Sequence, residues 1–366
     1  MEEKMNLSEK TLRTMEELTQ LFGVSGQENE VRTYLANRYK EYGFEVIYDT
    51  LGSVFAVKKS KKENAKTILL AGHMDEVGFV VRDVTSTGCL SLTAIGGWWN
   101  QTLLGQRVLV KNRAGKTFKG VIGSIPPHLL SEADRAKPME IKNMLVDIGA
   151  KDKEEAESWG ILPGDGIVVE GPFVLMEGGK RLLAKAWDNR YGCIMGLEVL
   201  DALKDVDLDV DLVVGATVQE EVGLRGATTA GYLVDPDVAI VFDCSPANDT
   251  NGKKDEFGQL GSGPLVRFID ANYLPHRGFL NHYIDVLEEN KLPYQYYQSM
   301  GGTDAGAFHK AFEGVLTLTM CICARNIHTN SSIIDQDDFL NARTAAIAMV
   351  KSLTPEKIET LKTSNR

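Results

Sequence analysis

Apolar residues at Leu12, Met15, Leu18 and Phe22 recur at helical spacing behind Ser8 and stop at Gly23. Val31, Leu35, Tyr39 and Tyr42 repeat the pattern up to Gly43, so the chain opens with two helices. From Phe44 to His73 the pattern becomes strand-like (FEVIYD, SVFAVKK, TILLAGH). It stays so from about Val77 to Ala184 (VGFVV, CLSLTAI, QRVLV, FKGVIGSI, MLVDIGA, GIVVEG), with KEEAESWG the one convincing helix. Helix and strand then alternate: YGCIMGLEVLDALK, VDLVVGATVQ, a helix after Gly223, VAIVFD, GFLNHYIDVLEEN, GVLTLTMCICA, and a last helix from about Asp335. An α/β domain interrupted by a small β-barrel accounts for this order, with the α/β portion at 1–75 and 169–366 and the insert at 76–168.

Composition narrows the picture. A chain of 366 residues has room for two domains, and 43% hydrophobic with 25% charged residues is globular. The formal net charge of -11 removes the electrostatic basis for nucleic-acid or anionic-membrane binding. The start MEEKMNLSEK is polar, and no apolar run approaches the roughly 18 residues of a membrane span, so a cytoplasmic protein is expected. Cys89, Cys193, Cys244, Cys321 and Cys323 are scattered through apolar runs, the usage of buried thiols in a reducing compartment.

Candidate chemistry gathers where apolar strands run into polar residues. TILLAG ends in His73 with Asp75 two residues on, LVVGATVQ in Glu220 and Glu221, VAIVF in Asp243, and LTMCICARNI in His328, while Asp188 in AKAWDNR lies just before a helix. Ligands of open α/β sheets bind beyond the carboxyl ends of the strands, so these side chains can converge. Imidazoles and carboxylates without cysteine suit Zn²⁺, Mn²⁺ or Co²⁺. Five ligands with one bridging carboxylate would hold two metals about 3.5–4 Å apart and generate hydroxide near neutral pH. Adjacent residues leave a strand on opposite sides, so one of Glu220 and Glu221 can ligate while the other serves as base. Residues two apart share a face, so Asp75 can orient the His73 ring.

Blander readings compete at each position. A strand-end histidine is often a surface residue, an acidic pair is usually solvated, Asp243 can initiate a turn, and Asp188 can cap the following helix. Coincidence at four strand ends and one helix start is harder to explain that way. His128 and His276 read as loop residues and His282 and His309 as helical ones, without chemistry. GGTDAG at 301–306 lacks the lysine of a phosphate loop and reads as a tight turn near the site.

The phrases GHMDEVGF, AKAWDNRYG, VQEEVGLRGA, FDCSPA, GGTDAGAFH and ARNIHT, in this order, resemble the glutamyl, leucyl and deblocking aminopeptidases that form tetrahedral shells. The likeness runs from about Leu18 to Leu353. It implies a mixed-sheet, zinc-exopeptidase-like α/β catalytic domain with an inserted β-barrel that mediates dimerisation, carries none of the candidate site, and builds dimers into a dodecamer. It further implies two divalent metals, with Asp188 bridging, His73 and Asp243 on one ion, Glu221 and His328 on the other, Glu220 as general base, and Asp75 supporting His73. Many relatives place a histidine where this chain has Asn330, which is not a ligand position. The implied activity is release of N-terminal residues from short peptides. GSGPLVRFID, FDCSPA and PYQYYQSMGGTDAG look closer to the glutamyl branch, where Arg267 would bind an acidic side chain. Against that, Arg267 can simply pair with Asp270, leaving a broad or leucyl preference. Remoter alternatives are an endoglucanase, which would need two carboxyls about 5–10 Å apart and no metal, and a non-catalytic shell protein.

Overall fold

The computed structural model of the chain describes residues 6–253 and 256–364. The first five residues of the polar start lie outside the described residues. Helices α1 (Glu9–Gln20) and α2 (Asn29–Glu41) open the chain, followed by strands β1 (Glu45–Tyr48), β2 (Val54–Lys58) and β3 (Thr67–His73). The Ser8 hydroxyl accepts the Thr11 N–H and caps α1, as its position before the apolar stripe predicts.

Strands β4 (Gly78–Val84), β5 (Leu90–Ile95), β6 (Arg107–Lys111), β7 (Thr117–Ile122), β8 (Leu145–Asp147) and β9 (Gly166–Val169) close into a barrel. Their alternating apolar residues, among them Phe79, Leu92, Val108, Val110, Val146 and Ile167, fill a core of their own. Two helices lie between the barrel strands: α4 (Lys153–Ser158), which the KEEAESWG pattern predicts, and the single turn α3 (Glu132–Arg135), which it does not.

The chain then forms β10 (Val174–Leu175), β11 (Arg181–Ala184), α5 (Trp187–Leu203), β12 (Asp211–Thr217), α6 (Arg225–Val234), β13 (Val238–Pro246), β14 (Leu265–Ile269), α7 (Arg277–Glu289), β15 (Gln295–Gln298), α8 (Ala305–Phe308), β16 (Leu316–Ala324), β17 (Ser332–Asp335), α9 (Gln336–Ser352) and α10 (Pro355–Thr363). An eight-stranded mixed sheet runs β1-β2-β12-β3-β13-β16-β14-β15, and its four central strands are parallel. Helices on both faces explain why β3, β13 and β16 are near-continuous apolar runs. The helix expected to be last, α9, is followed by α10, whose Pro355 sits in the first turn, where a missing N–H costs nothing.

Two glycines bring the centre of this fold close. A Cβ on Gly72 of β3 would come within 2.7 Å of the Gly192 backbone, and one on Gly192 within 2.8 Å of Gly72. Helix α5 can therefore lie directly on β3, and its start faces the end of that strand. Behind the junction, Glu76 accepts from the Lys185 Nζ at 2.6 and 2.7 Å and from Arg190 at 3.1 Å, all three side chains being buried. Arg190 also donates to the carbonyls of Met74 and Leu18, so α1, β3 and α5 are tied at one point.

Of the cysteines, Cys193, Cys244, Cys321 and Cys323 are buried as expected, whereas Cys89 is only half-buried, because it lies between the tip of β4 and β5. His128 falls in a short helical turn, and His276 accepts the Phe279 N–H at the start of α7 instead of lying in a plain loop. Among the described residues no helix is long and apolar enough to cross a membrane.

Candidate active site

Register brings the candidate residues together. Thr217 of β12 pairs with His73 of β3, and Val241 of β13 with Ala71, so Asp243 lies beside His73 at the carboxyl edge of the sheet. Asp188 arrives from the first turn of α5, where Asp188 and Asn189 depart from helical φ/ψ. The Asn189 side chain donates to the Phe242 carbonyl and accepts the Gly192 N–H, fixing that irregular turn against β13.

Several local expectations need correction. Glu220 and Glu221 do not continue β12 and so do not owe their separation to strand alternation. The strand stops at Thr217, Gln219 takes a left-handed φ of 55°, and the two glutamates follow in the turn. Asp243 does not end its strand, because β16 pairs with β13 as far as Pro246–Ala324. His328 lies beyond the end of β16, in a loop where Asn326 and His328 are both left-handed. Asp75 also lies past the strand end, so a shared strand face is not what sets it beside His73.

Asp188 faces both imidazoles: its Oδ1 is 3.1 Å from His73 Nε2 and its Oδ2 is 3.3 Å from His328 Nε2. His73 Nε2 is also 3.7 Å from Asp243 and 3.8 Å from Glu220, and His328 Nε2 is 3.2 Å from Glu221. His73, Asp188 and Asp243 form one group whose donor atoms all lie within 4.8 Å of one another, and Asp188, Glu221 and His328 form a second. His73, Glu220 and Glu221 form a third, but Asp188 alone joins both histidines with a separate oxygen for each.

The donor set fits divalent metal. Asp188 Oδ1 and Glu221 Oε1 are buried without a hydrogen-bond partner, although each sits 3.1–3.2 Å from an imidazole nitrogen. Proximity without hydrogen-bond alignment is what ligands pointing at a common ion would show. The opposite ring nitrogens are held: His73 Nδ1 lies 3.1 Å from the Asp75 carbonyl and 3.3 Å from its carboxylate, and His328 Nδ1–H donates to the Gly97 carbonyl at 2.8 Å.

The charge balance agrees. Asp188, Glu220, Glu221 and Asp243 form ion pairs only with imidazoles among the described residues. Burial pushes Glu221 up to about 7 and Asp243 up to about 6, with Asp188 adding to both shifts, and holds Glu220 well above the carboxylate range. Burial would lower His328, but Asp188 and Glu221 raise it to about 11; burial likewise opposes His73, and Glu220, Asp188 and Asp243 lift it well above its usual value. Asp188 is pulled the other way: burial raises it, and the two rings hold it well below its ordinary value.

Some participants carry no signal in the sequence. Gly97 belongs to the insert, which holds none of the candidate residues yet touches the site: its carbonyl accepts from His328, and a Cβ on Gly96 (φ 75°) would press on Val77 and reach 3.3 Å from Glu221. Asp304 of GGTDAG is buried, bonds the Thr217 hydroxyl, and is pushed up to about 7 by burial. The glycines of that turn do lie at the site, where Gly301 and Gly302 line the main cavity.

That cavity, of about 1060 Å³, opens over Asp188, Glu220, Glu221, Asp243 and His328. Arg267 is its sole lining arginine, and no lysine lines it, among the described residues. The side chain is only 2% exposed, donates to the Gly301 carbonyl at 2.7 Å, and lies 3.3 Å from Asp270, so pocket lining and pairing with Asp270 hold together.

The family of M42 glutamyl aminopeptidases matches residues 52–344. A glutamyl aminopeptidase of Lactococcus lactis subsp. cremoris is 42% identical over 94% of this chain and 97% of its own length. The TET aminopeptidase from the marine sediment archaeon Thaumarchaeota archaeon SCGC AB-539-E09 superposes with a TM-score of 0.92 at 37% identity, over 96% of this chain and 99% of that one. The TET1 peptidase of Pyrococcus horikoshii, which can assemble into a tetrahedron or a large octahedral shell, gives 0.84 at 27% identity over 94% and 100%.

Proposed function

The chain belongs to the M42 glutamyl aminopeptidase family and is a metal-dependent aminopeptidase, and we propose that it releases acidic N-terminal residues from short peptides at a two-metal centre bridged by Asp188. What supports the centre is the pair of donor groups that share Asp188, each with one histidine and one further carboxylate. His73 and Asp243 would hold one ion and Glu221 and His328 the other. The nitrogen-and-oxygen set suits Zn²⁺, Co²⁺ or Mn²⁺. Bound there, the ions would polarise the scissile carbonyl and lower the pKa of a water toward neutrality. Glu220, beside both groups and facing the cavity, would accept a proton from the attacking water and return it to the leaving amine. Asp75 would keep the His73 ring oriented throughout.

The acidic preference draws support from the Lactococcus relative and from Arg267, which lines the cavity alongside the carboxylates of the site. A guanidinium can meet a substrate carboxylate through two parallel hydrogen bonds. Loss of a charge-assisted bond is worth roughly 1.5–3 kcal/mol, so Arg267→Leu is expected to cut kcat/KM on glutamyl anilide by about 10- to 150-fold and to spare leucyl anilide. The Asp270 contact favours the second reading, a broad or leucyl specificity. Equal losses on both substrates, or a native preference for leucyl anilide, would select it.

Assembly follows the same reasoning. The insert exposes Trp99, Ile125 and Leu129, large apolar residues that a partner surface would cover. A dodecamer built from dimers through the barrel is expected, with light scattering as the check. A monomer at micromolar concentration would refute it.

A further inference from the structure

We propose that Ser25 and Glu28, in the loop between α1 and α2, are positioning residues for the turn that carries Glu220 and Glu221. Three successive backbone N–H groups of that turn end on two buried carboxylates. Gln219 donates to Glu28 Oε1 at 3.1 Å, Glu220 to Asp75 Oδ1 at 3.0 Å, and Glu221 to Asp75 Oδ2 at 3.1 Å. The Ser25 hydroxyl donates to Asp75 Oδ2 at 2.6 Å, the same oxygen that accepts the Glu221 N–H, so the loop holds the carboxylate that holds the turn.

The loop is itself fixed. Glu28 Oε1 also accepts the Gly26 N–H at 2.7 Å, Gln27 N–H donates to the Val24 carbonyl, and Val24 forms a β-bridge with Glu76, whose N–H donates to the Gly23 carbonyl. Glu76 is joined to Lys185 and Arg190, so the loop, the end of β3 and the start of α5 share one anchor. Gln219 needs that anchorage, because a non-glycine residue at φ 55° is disfavoured against the right-handed alternative. Glu28 supplies an acceptor that rewards the left-handed geometry, and Asp75 supplies the next two.

The chemistry asked of Glu28 is acceptance of N–H, not negative charge. Glu28→Gln retains the acceptor oxygen, and Glu28→Leu removes it. Ser25→Thr and Ser25→Ala make the same contrast at the hydroxyl. A displacement near 1 Å at reacting groups can cost on the order of 100-fold, so Glu28→Leu is expected to lower kcat by about 10- to 100-fold with KM little changed. Glu28→Gln should recover most of it.

The kinetic part rests on the aminopeptidase reading; amide hydrogen exchange does not. In metal-loaded, full-length protein, exchange at Gln219–Glu221 should accelerate in Glu28→Leu and return to the native rate in Glu28→Gln. Native exchange in Glu28→Leu would overturn the proposal, as would a Glu28→Gln variant as impaired as Glu28→Leu, which would make charge the operative property. Should Glu28→Leu fail to fold, Ser25→Ala against Ser25→Thr gives the same readings, with unaltered exchange in Ser25→Ala refuting the role. A protein inactive on every peptide, yet showing the exchange pattern, would leave the positioning intact and remove the function instead.

Discussion

Replacing Glu220 with Gln is expected to leave both metals bound and to remove roughly 10²- to 10⁴-fold of turnover, the range a positioned general base contributes. The amide keeps the shape and much of the hydrogen bonding, but it cannot take the proton. Retention of metal follows from the assignment, because both Asp188-sharing donor groups are complete without Glu220. Its carboxylate is 3.8 Å from His73 Nε2, close enough to serve a water held among the ligands. Metal analysis beside steady-state kinetics checks the point. Turnover near the native rate would remove Glu220 as the base, and loss of one metal would move it into the ligand set with the third donor group.

Asp188→Asn should fail differently. One neutral oxygen and one NH₂ would replace the two anionic oxygens that face His73 and His328. Loss of a mere outer-shell partner costs about 10- to 100-fold in metal affinity, so loss of a shared ligand should cost at least that at both ions. Activity should disappear with the metal and return in part at high metal concentration, which Glu220→Gln would not do. Two fully occupied ions in Asp188→Asn at stoichiometric metal would rule out the bridge.

Much of this site could be read along the chain because its proposed ligands are side chains that follow or lie near the ends of apolar runs. His73, Asp188, Glu221, Asp243 and His328 stand next to long apolar runs, and the parallel order β12-β3-β13-β16 brings those ends together. Local geometry was less legible. Strand alternation does not describe Glu220 and Glu221, since the left-handed Gln219 ends the extended run before them. Asp243 continues its strand because β16 pairs beyond it, a long-range fact. The supporting shell was hidden for two reasons. Gly97 acts through a backbone carbonyl, which no residue type announces, across 231 positions from His328. Glu28 reaches Gln219 across 191 positions, and in sequence it is one more acidic residue at the start of a helix.

That the strand-end centre is a two-metal aminopeptidase site can be tested directly. The direct measurement strips the protein of metal, titrates it with Co²⁺ or Zn²⁺, and follows release of the first residue from a peptide with a free amino terminus, with an N-acetylated peptide and a β-glucan as controls. No release from any substrate is expected in stripped protein. On titration, release from the free peptide alone is expected, rising to a plateau as two ions bind per chain. Release that ignores stripping, a plateau at one ion, or cleavage of the blocked peptide or the glucan would contradict that assignment.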